Sequence, residues 1–153
     1  TASFRGSFSI VFSEALRTAG LGSKVLIAQF LKGGVLQGPS KGINLCGTLD
    51  WIRADIDCCI SSNNKDQFAK LHQVDIKNSI EEVWNYCKNK LEKKEVDRLV
   101  LDEIGLAASL GFIDENDLIS TLEDRPAAID VILTGPSISS KIKKMANQIT
   151  ELR

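Results

Sequence analysis

Val96-Asp97-Arg98-Leu99-Val100-Leu101-Asp102-Glu103 is the stretch whose reading decides the fold. Three consecutive apolar residues, Leu99 to Leu101, run straight into two carboxylates. An unbroken apolar run suits a strand buried on both faces, as in a parallel sheet covered by helices. Open α/β sheets take their ligands just beyond the carboxyl ends of such strands, so Asp102 and Glu103 are expected at the mouth of a site. The competing reading is a strand that ends in a solvated acidic turn.

Outward from that strand, apolar runs alternate with helical patterns. Ile10, Val11, Ala15, Leu16 and Ala19 outline a helical face after a Ser- and Gly-rich opening, Thr1 to Ser9, and Gly20-Leu21-Gly22 closes it. A loop leading into a helix N-terminus offers backbone N–H groups to an anion. Lys24 to Leu31 reads as a second buried strand, turning at Lys32-Gly33-Gly34. Residues 35–66 are the least regular, with a short strand expected over Thr48–Ile52 and a loop over 61–66. Gln67 to Lys94 carries Phe68, Leu71, Ile76, Ile80, Val83, Trp84, Cys87 and Leu91 at helical intervals. Its lysine-rich end suits a helix C-terminus and a solvated face.

After the central strand, the pattern predicts a short helix over Ile104–Leu110 and a turn at Gly111. A helix capped by Asp114 then runs to Leu122, with Asp117 completing an imperfect capping box. A strand over Ala128–Leu133, a helix over Ser139–Met145 and a terminal strand over Gln148–Leu152 complete the chain. The alternation predicts an α/β fold with a mostly parallel, doubly wound sheet. Residues 1–153 are expected to form one domain, with no internal repeat or linker. Thr1-Ala2 reads as the end of a strand, as if the chain were a trimmed or processed fragment.

Bulk properties narrow the function. At 153 residues, with 43% hydrophobic and 25% charged residues, the chain can bury roughly two-thirds of its unfolded surface. A net charge of −1 and a pI near 5.8 give no electrostatic reason to expect nucleic acid or an anionic membrane. No apolar run reaches the length of a membrane span, and no signal peptide is expected. Cys46, Cys58, Cys59 and Cys87 form no CxxC pair, so reduced thiols in the cytoplasm and no zinc are expected. His72 is the one histidine, which leaves no triad and reads as an exposed helical residue. A homodimer or a protein partner stays open.

The order of the segments resembles the P-loop type of ATP:corrinoid adenosyltransferase. The resemblance is carried by Glu14-Ala15-Leu16-Arg17-Thr18-Ala19-Gly20, Gln29-Phe30-Leu31-Lys32-Gly33, Leu99-Val100-Leu101-Asp102-Glu103 and Gly111-Phe112-Ile113-Asp114. Arg125-Pro126, Leu133-Thr134-Gly135 and Thr150-Glu151-Leu152-Arg153 follow in matching order. It covers most of the chain, weakly between about 35 and 80. The resemblance implies a P-loop NTPase-like three-layer sandwich, with ATP, Mg2+ and a corrinoid as ligands. It also implies adenosyl transfer from ATP to a cob(I)-level corrinoid, releasing triphosphate. Carried over by position, Asp102 would hold Mg2+ through water and Glu103 would orient that shell. Arg5, Gly6, Ser7 and Ser9 would bind the phosphates.

The departures from the family pattern fall in the phosphate loop. Where the family has Gly-x-Gly-Lys-Gly-Lys-Thr-Thr, the chain has Ala2-Ser3-Phe4-Arg5-Gly6-Ser7-Phe8-Ser9. Ser7 replaces the phosphate-binding lysine and Phe8 a phosphate- or metal-binding hydroxyl, a degenerate Walker A loop. Further on, Gly38-Pro39 replaces Gly-Glu, and Thr134-Gly135-Pro136 replaces Thr-Gly-Arg. The corrinoid-covering stretch has no counterpart unless Asp50-Trp51 or Asp57-Cys58-Cys59 serves. A second function therefore stands beside the enzyme: a non-catalytic binding, scaffold or regulatory module.

Overall fold

The computed structural model describes residues 8–33, 42–61 and 73–151. Arg5, Gly6, Ser7 and His72 lie outside the described residues, as do Phe68 and Leu71. In chain order the elements are α1 (Phe8–Gly20), β1 (Val25–Gln29), β2 (Ile43–Leu45), β3 (Leu49–Arg53) and α2 (Gln73–Glu92). They continue with β4 (Arg98–Asp102), α3 (Ile104–Ser109), α4 (Glu115–Glu123), β5 (Asp130–Thr134) and α5 (Ser140–Met145).

The five strands form one sheet in the order β2-β3-β1-β4-β5. β1 pairs in parallel with β3 and β4, and β4 with β5; only β2 runs antiparallel, beside β3. β1 is buried along its whole length, and Leu99 to Leu101 of β4 are buried on both faces, as their unbroken apolar runs require.

Alternation of side chains sorts the sheet into two cores. Val25, Ile27, Leu49, Trp51 and Val100 point to the face covered by Ala15 and Ala19 of α1. Leu26, Ala28, Leu99 and Leu101 point to the opposite face. There they pack with Ile80 and Trp84 of α2, Leu106 and Ala107 of α3, Leu118 of α4 and Ile142 of α5. The result is the three-layer α/β arrangement that the sequence pattern predicts.

Several boundaries differ from expectation for identifiable reasons. α1 begins at Phe8, inside the stretch read as loop, because the Phe8 ring heads the buried stripe. It packs on Phe12 and Trp51 at centroid distances of 5.7 and 5.5 Å. Ile10 and Leu16, read as part of that stripe, face solvent. The edge strand β2 was absent from the sequence pattern. Its three residues form a hairpin with β3 through a turn that uses Cys46 and Gly47 at positive φ. Asp117 does not complete a capping box. Asp114 alone caps α4, accepting from the Asn116 and Asp117 N–H groups, while the Asp117 carboxylate accepts from Trp84 Nε1 (2.7 Å) and Lys88 Nζ (2.9 Å). The expected terminal strand does not form over residues 148–151, where Ile149 is half exposed and no sheet edge receives it.

Candidate functional site

Each of the four parallel strands closes on a polar residue. β3 ends in Arg53, β1 in Gln29, β4 in Asp102 and β5 in Thr134. The parallel register sets these four side by side across the carboxyl end of the sheet. They lie two residues beyond Trp51, Ile27, Val100 and Ile132, and so project to the same face, the α1 side.

Asp102 is the hub. Its Oδ2 accepts hydrogen bonds from Gln29 Nε2 and from Lys32 Nζ, both at 2.8 Å, and its Oδ1 accepts from Thr134 Oγ1 at 2.5 Å. Gln29 extends the row, because its Oε1 accepts from Trp51 Nε1 (3.1 Å) and Arg53 Nε (3.0 Å). Burial draws the Arg53 guanidinium below its ordinary pKa, against which the nearby Asp102 charge acts. Asp102 is 1% exposed and Lys32 7%, so this is a buried ion pair and not a solvated acidic turn.

Lys32 is held in place through its backbone. It bridges to Cys59, Ile60 N–H donates to Leu31 O, and Ala54 N–H donates to Gln29 O. The 54–60 segment thus folds back over the end of β1. It comes so near that a Cβ on Gly33 would stand 1.9 Å from Ile56 O. Phe8, in the first turn of α1, lays its ring over the Lys32 ammonium with Nζ 4.7 Å from the centroid. Ser9 is exposed in that same turn, and its carbonyl accepts from Ser13 Oγ.

Glu103 is equally buried, at 1% exposure, and its carboxylate stands 4.0 Å from Lys32 Nζ. Its backbone is left-handed, with φ 64° and ψ 23°, a conformation that costs a non-glycine residue about 1–2 kcal/mol. Two contacts hold it there. Glu103 N–H donates to Thr134 O (3.1 Å), and its own carbonyl accepts from Ala107 N–H (3.0 Å), starting α3. Gly135, at φ +98°, makes room, since a Cβ there would come within 3.0 Å of Glu103 Cα.

Asp102 and Glu103 therefore stand where the sequence places them, at the carboxyl end of a central parallel strand near the start of α1. The cations and the two neutral donors around Asp102 were not singled out as site residues, although the resemblance quoted Gln29, Lys32 and Thr134. The signal for the row is the polar residue closing every parallel strand. Trp51, considered as a corrinoid cover, is instead buried beneath α1. The four cysteines are all free thiols; Cys87 is buried, which pushes its thiol pKa well up.

A mostly parallel sheet between helical layers, with an acid pair at a central strand end facing the first turn of α1, defines a P-loop-like three-layer α/β protein. More narrowly, the chain belongs to the ATP:corrinoid adenosyltransferase BtuR/CobO/CobP family, which matches residues 4–153. It is 26% identical to a corrinoid adenosyltransferase of Escherichia coli K12, over all of this chain and 74% of that protein. The corrinoid adenosyltransferase CobA of Salmonella typhimurium shows the same identity and coverage. A corrinoid adenosyltransferase of Pseudomonas aeruginosa is 24% identical over 97% of this chain and 70% of its own length.

Among the described residues, the surroundings of Asp102 leave little room for a divalent cation to bind its carboxylate directly. A carboxylate offers about four acceptor positions, and protein donors take three of them here, one being an ammonium. Magnesium needs oxygen ligands or ordered waters in near-octahedral array. No group of three or more His, Cys, Asp or Glu side chains suited to a metal occurs among the described residues.

Proposed function

We propose that the chain binds ATP and a reduced cobalt corrinoid and transfers the adenosyl group from one to the other. The observation that carries this reading is the family match over nearly the whole chain, with the acid pair of the resemblance at the carboxyl end of β4. The reaction suits the residues available. Reduced cobalt is itself the nucleophile, so the protein needs no histidine base and supplies positioning and a dry cavity. Arg5, Gly6, Ser7 and Ser9 are proposed to meet the phosphates, with Asp102 and Glu103 ordering the floor of the site beneath them.

The row of Arg53, Gln29, Asp102 and Thr134 acts here as a rigid base. Each member is held by the next, and the first turn of α1 meets this end of the sheet through Phe8, which packs on Lys32 and Trp51. Any magnesium would arrive with the phosphates of ATP and is not assigned to Asp102. No membrane contact is needed, and among the described residues no helix is long and apolar enough to cross one. The cytoplasm, where ATP is present and thiols stay reduced, is the proposed location.

A second reading, a non-catalytic binding or scaffold module, is favoured by one observation. Phe8 stands where the family has a hydroxyl, and its ring lies on Lys32. Anaerobic incubation with ATP and chemically reduced corrinoid separates the two. The transferase reading expects an adenosylated corrinoid and triphosphate in equal amounts. Corrinoid or ATP binding without either product selects the module.

A further inference from the structure

We propose that the Lys32 ammonium is the resident cation of the Asp102–Glu103 pair, occupying by a side chain the position that a divalent metal would otherwise take. This goes beyond adenosyl transfer and does not rest on it.

Three features of the geometry converge on Lys32. Its Nζ is 2.8 Å from Asp102 Oδ2 and 4.0 Å from Glu103 Oε1, so it stands between the two acids. Its approach from the other side is covered by the Phe8 ring at 4.7 Å. Its backbone is held by the Cys59 bridge, and the close approach of Ile56 to Gly33 packs the adjoining turn tightly. An ammonium is a compact point charge, suited to replacing a metal ion between carboxylates.

Charge balance agrees. Lys32 and Arg53 supply two positive charges at the end of the sheet, and Asp102 and Glu103 two negative ones. A metal ion reaching Asp102 would meet the ammonium at close range, in a setting where water screens poorly, and among the described residues the two acids are already matched by two cations. Phe8 offers such an ion no ligand at all. The acid pair is accordingly a structural and positioning element, and metal dependence of any reaction would belong to the nucleotide and not to these carboxylates.

The test uses Mn2+ as the probe, with the full chain and with neither nucleotide nor corrinoid, so failure of adenosyl transfer leaves it standing. Electron paramagnetic resonance of free Mn2+ should show no stoichiometric uptake by the parent in the millimolar range, nor by Lys32→Arg. Lys32→Met should gain Mn2+ affinity by tenfold or more, and Asp102→Asn added to it should abolish the gain. One Mn2+ bound by the parent and lost in Asp102→Asn overturns the proposal, as does a Lys32→Met variant that gains nothing. Should Lys32→Met fail to fold, 15N-lysine spectra of the parent decide. The Lys32 ammonium signal should be broadened by Mn2+ no more than those of surface lysines; selective broadening at Lys32 refutes the assignment.

Discussion

Replacing Lys32 with methionine keeps most of the side chain's bulk and removes its charge. Removing one partner of a buried ion pair costs about 3–5 kcal/mol, because the remaining charge is left without compensation. Asp102 would keep its bonds from Gln29 and Thr134, so the low end applies, about 3 kcal/mol. Asp102→Asn strands the lysine instead, with Glu103 at 4.0 Å as its nearest acid, and should cost a similar amount, about 3 kcal/mol. The double variant removes both charges of the Lys32–Asp102 contact and leaves Glu103 as the remaining buried acid beside it. Its loss should fall short of the sum of the two singles by about 2–3 kcal/mol, the upper range of coupling between contacting residues. Urea unfolding followed by the fluorescence of Trp51 and Trp84 reads each value. For a domain of this length about 3 kcal/mol also lowers Tm by roughly 6–12 °C. A Lys32→Met variant within about 0.5 kcal/mol of the parent, as at a solvated surface pair, would refute the reasoning. So would strict additivity of the two substitutions.

Gly33→Ala should be severe for a residue next to an irregular turn. The new methyl group would stand 1.9 Å from Ile56 O, and moving the backbone away costs about 1–3 kcal/mol or more; a melting curve matching the parent would contradict this. Asp117 provides a pH test. The Trp84 indole N–H, then Lys88, hold its carboxyl below the usual aspartate range. Its contribution is therefore present above the unfolded value near pH ~3.9 and is lost as pH falls through the lower folded value. Its side chain is 42% exposed, so the contribution at neutral pH should stay below about 1 kcal/mol. Asp117→Asn should lose that amount at pH 7 and converge on the parent in acid. A gap that persists in acid would show that the carboxylate charge is not its cause.

The parts of the fold that were legible in the sequence are those whose apolar pattern is unambiguous. Leu99 to Leu101 and the run at Val25 are buried on both faces and could hardly be anything but central strands. The stripe of Ile76, Ile80, Val83, Trp84, Cys87 and Leu91 shows its helix directly, and every member is buried. β2 was not legible, because Ile43 and Asn44 are exposed and three residues carry no period. The first turn of α1 was misread because a phosphate loop was expected there, whereas Phe8 answers to the aromatic cluster of Phe12 and Trp51. Of the site, the acid pair could be placed from sequence. Its counter-charge could not, since Lys32 follows a strand like many exposed lysines, and only the fold-back of residues 54–60 over it makes it a buried partner.

Calorimetric titration of the full chain with ATP, with and without Mg2+, tests most directly whether this family member holds a nucleotide with so altered a loop. Two charge-assisted contacts are absent at Ser7 and Phe8, each worth about 1.5–3 kcal/mol, which weakens binding by roughly two to four orders of magnitude. The expected Kd is accordingly above about 100 μM, a weak affinity that still permits turnover, since KM values extend to about 1 mM. Asp102→Asn should leave the magnesium dependence of that binding unchanged. Binding of ATP-magnesium at low micromolar Kd, with the magnesium effect lost in Asp102→Asn, would contradict the account at both points.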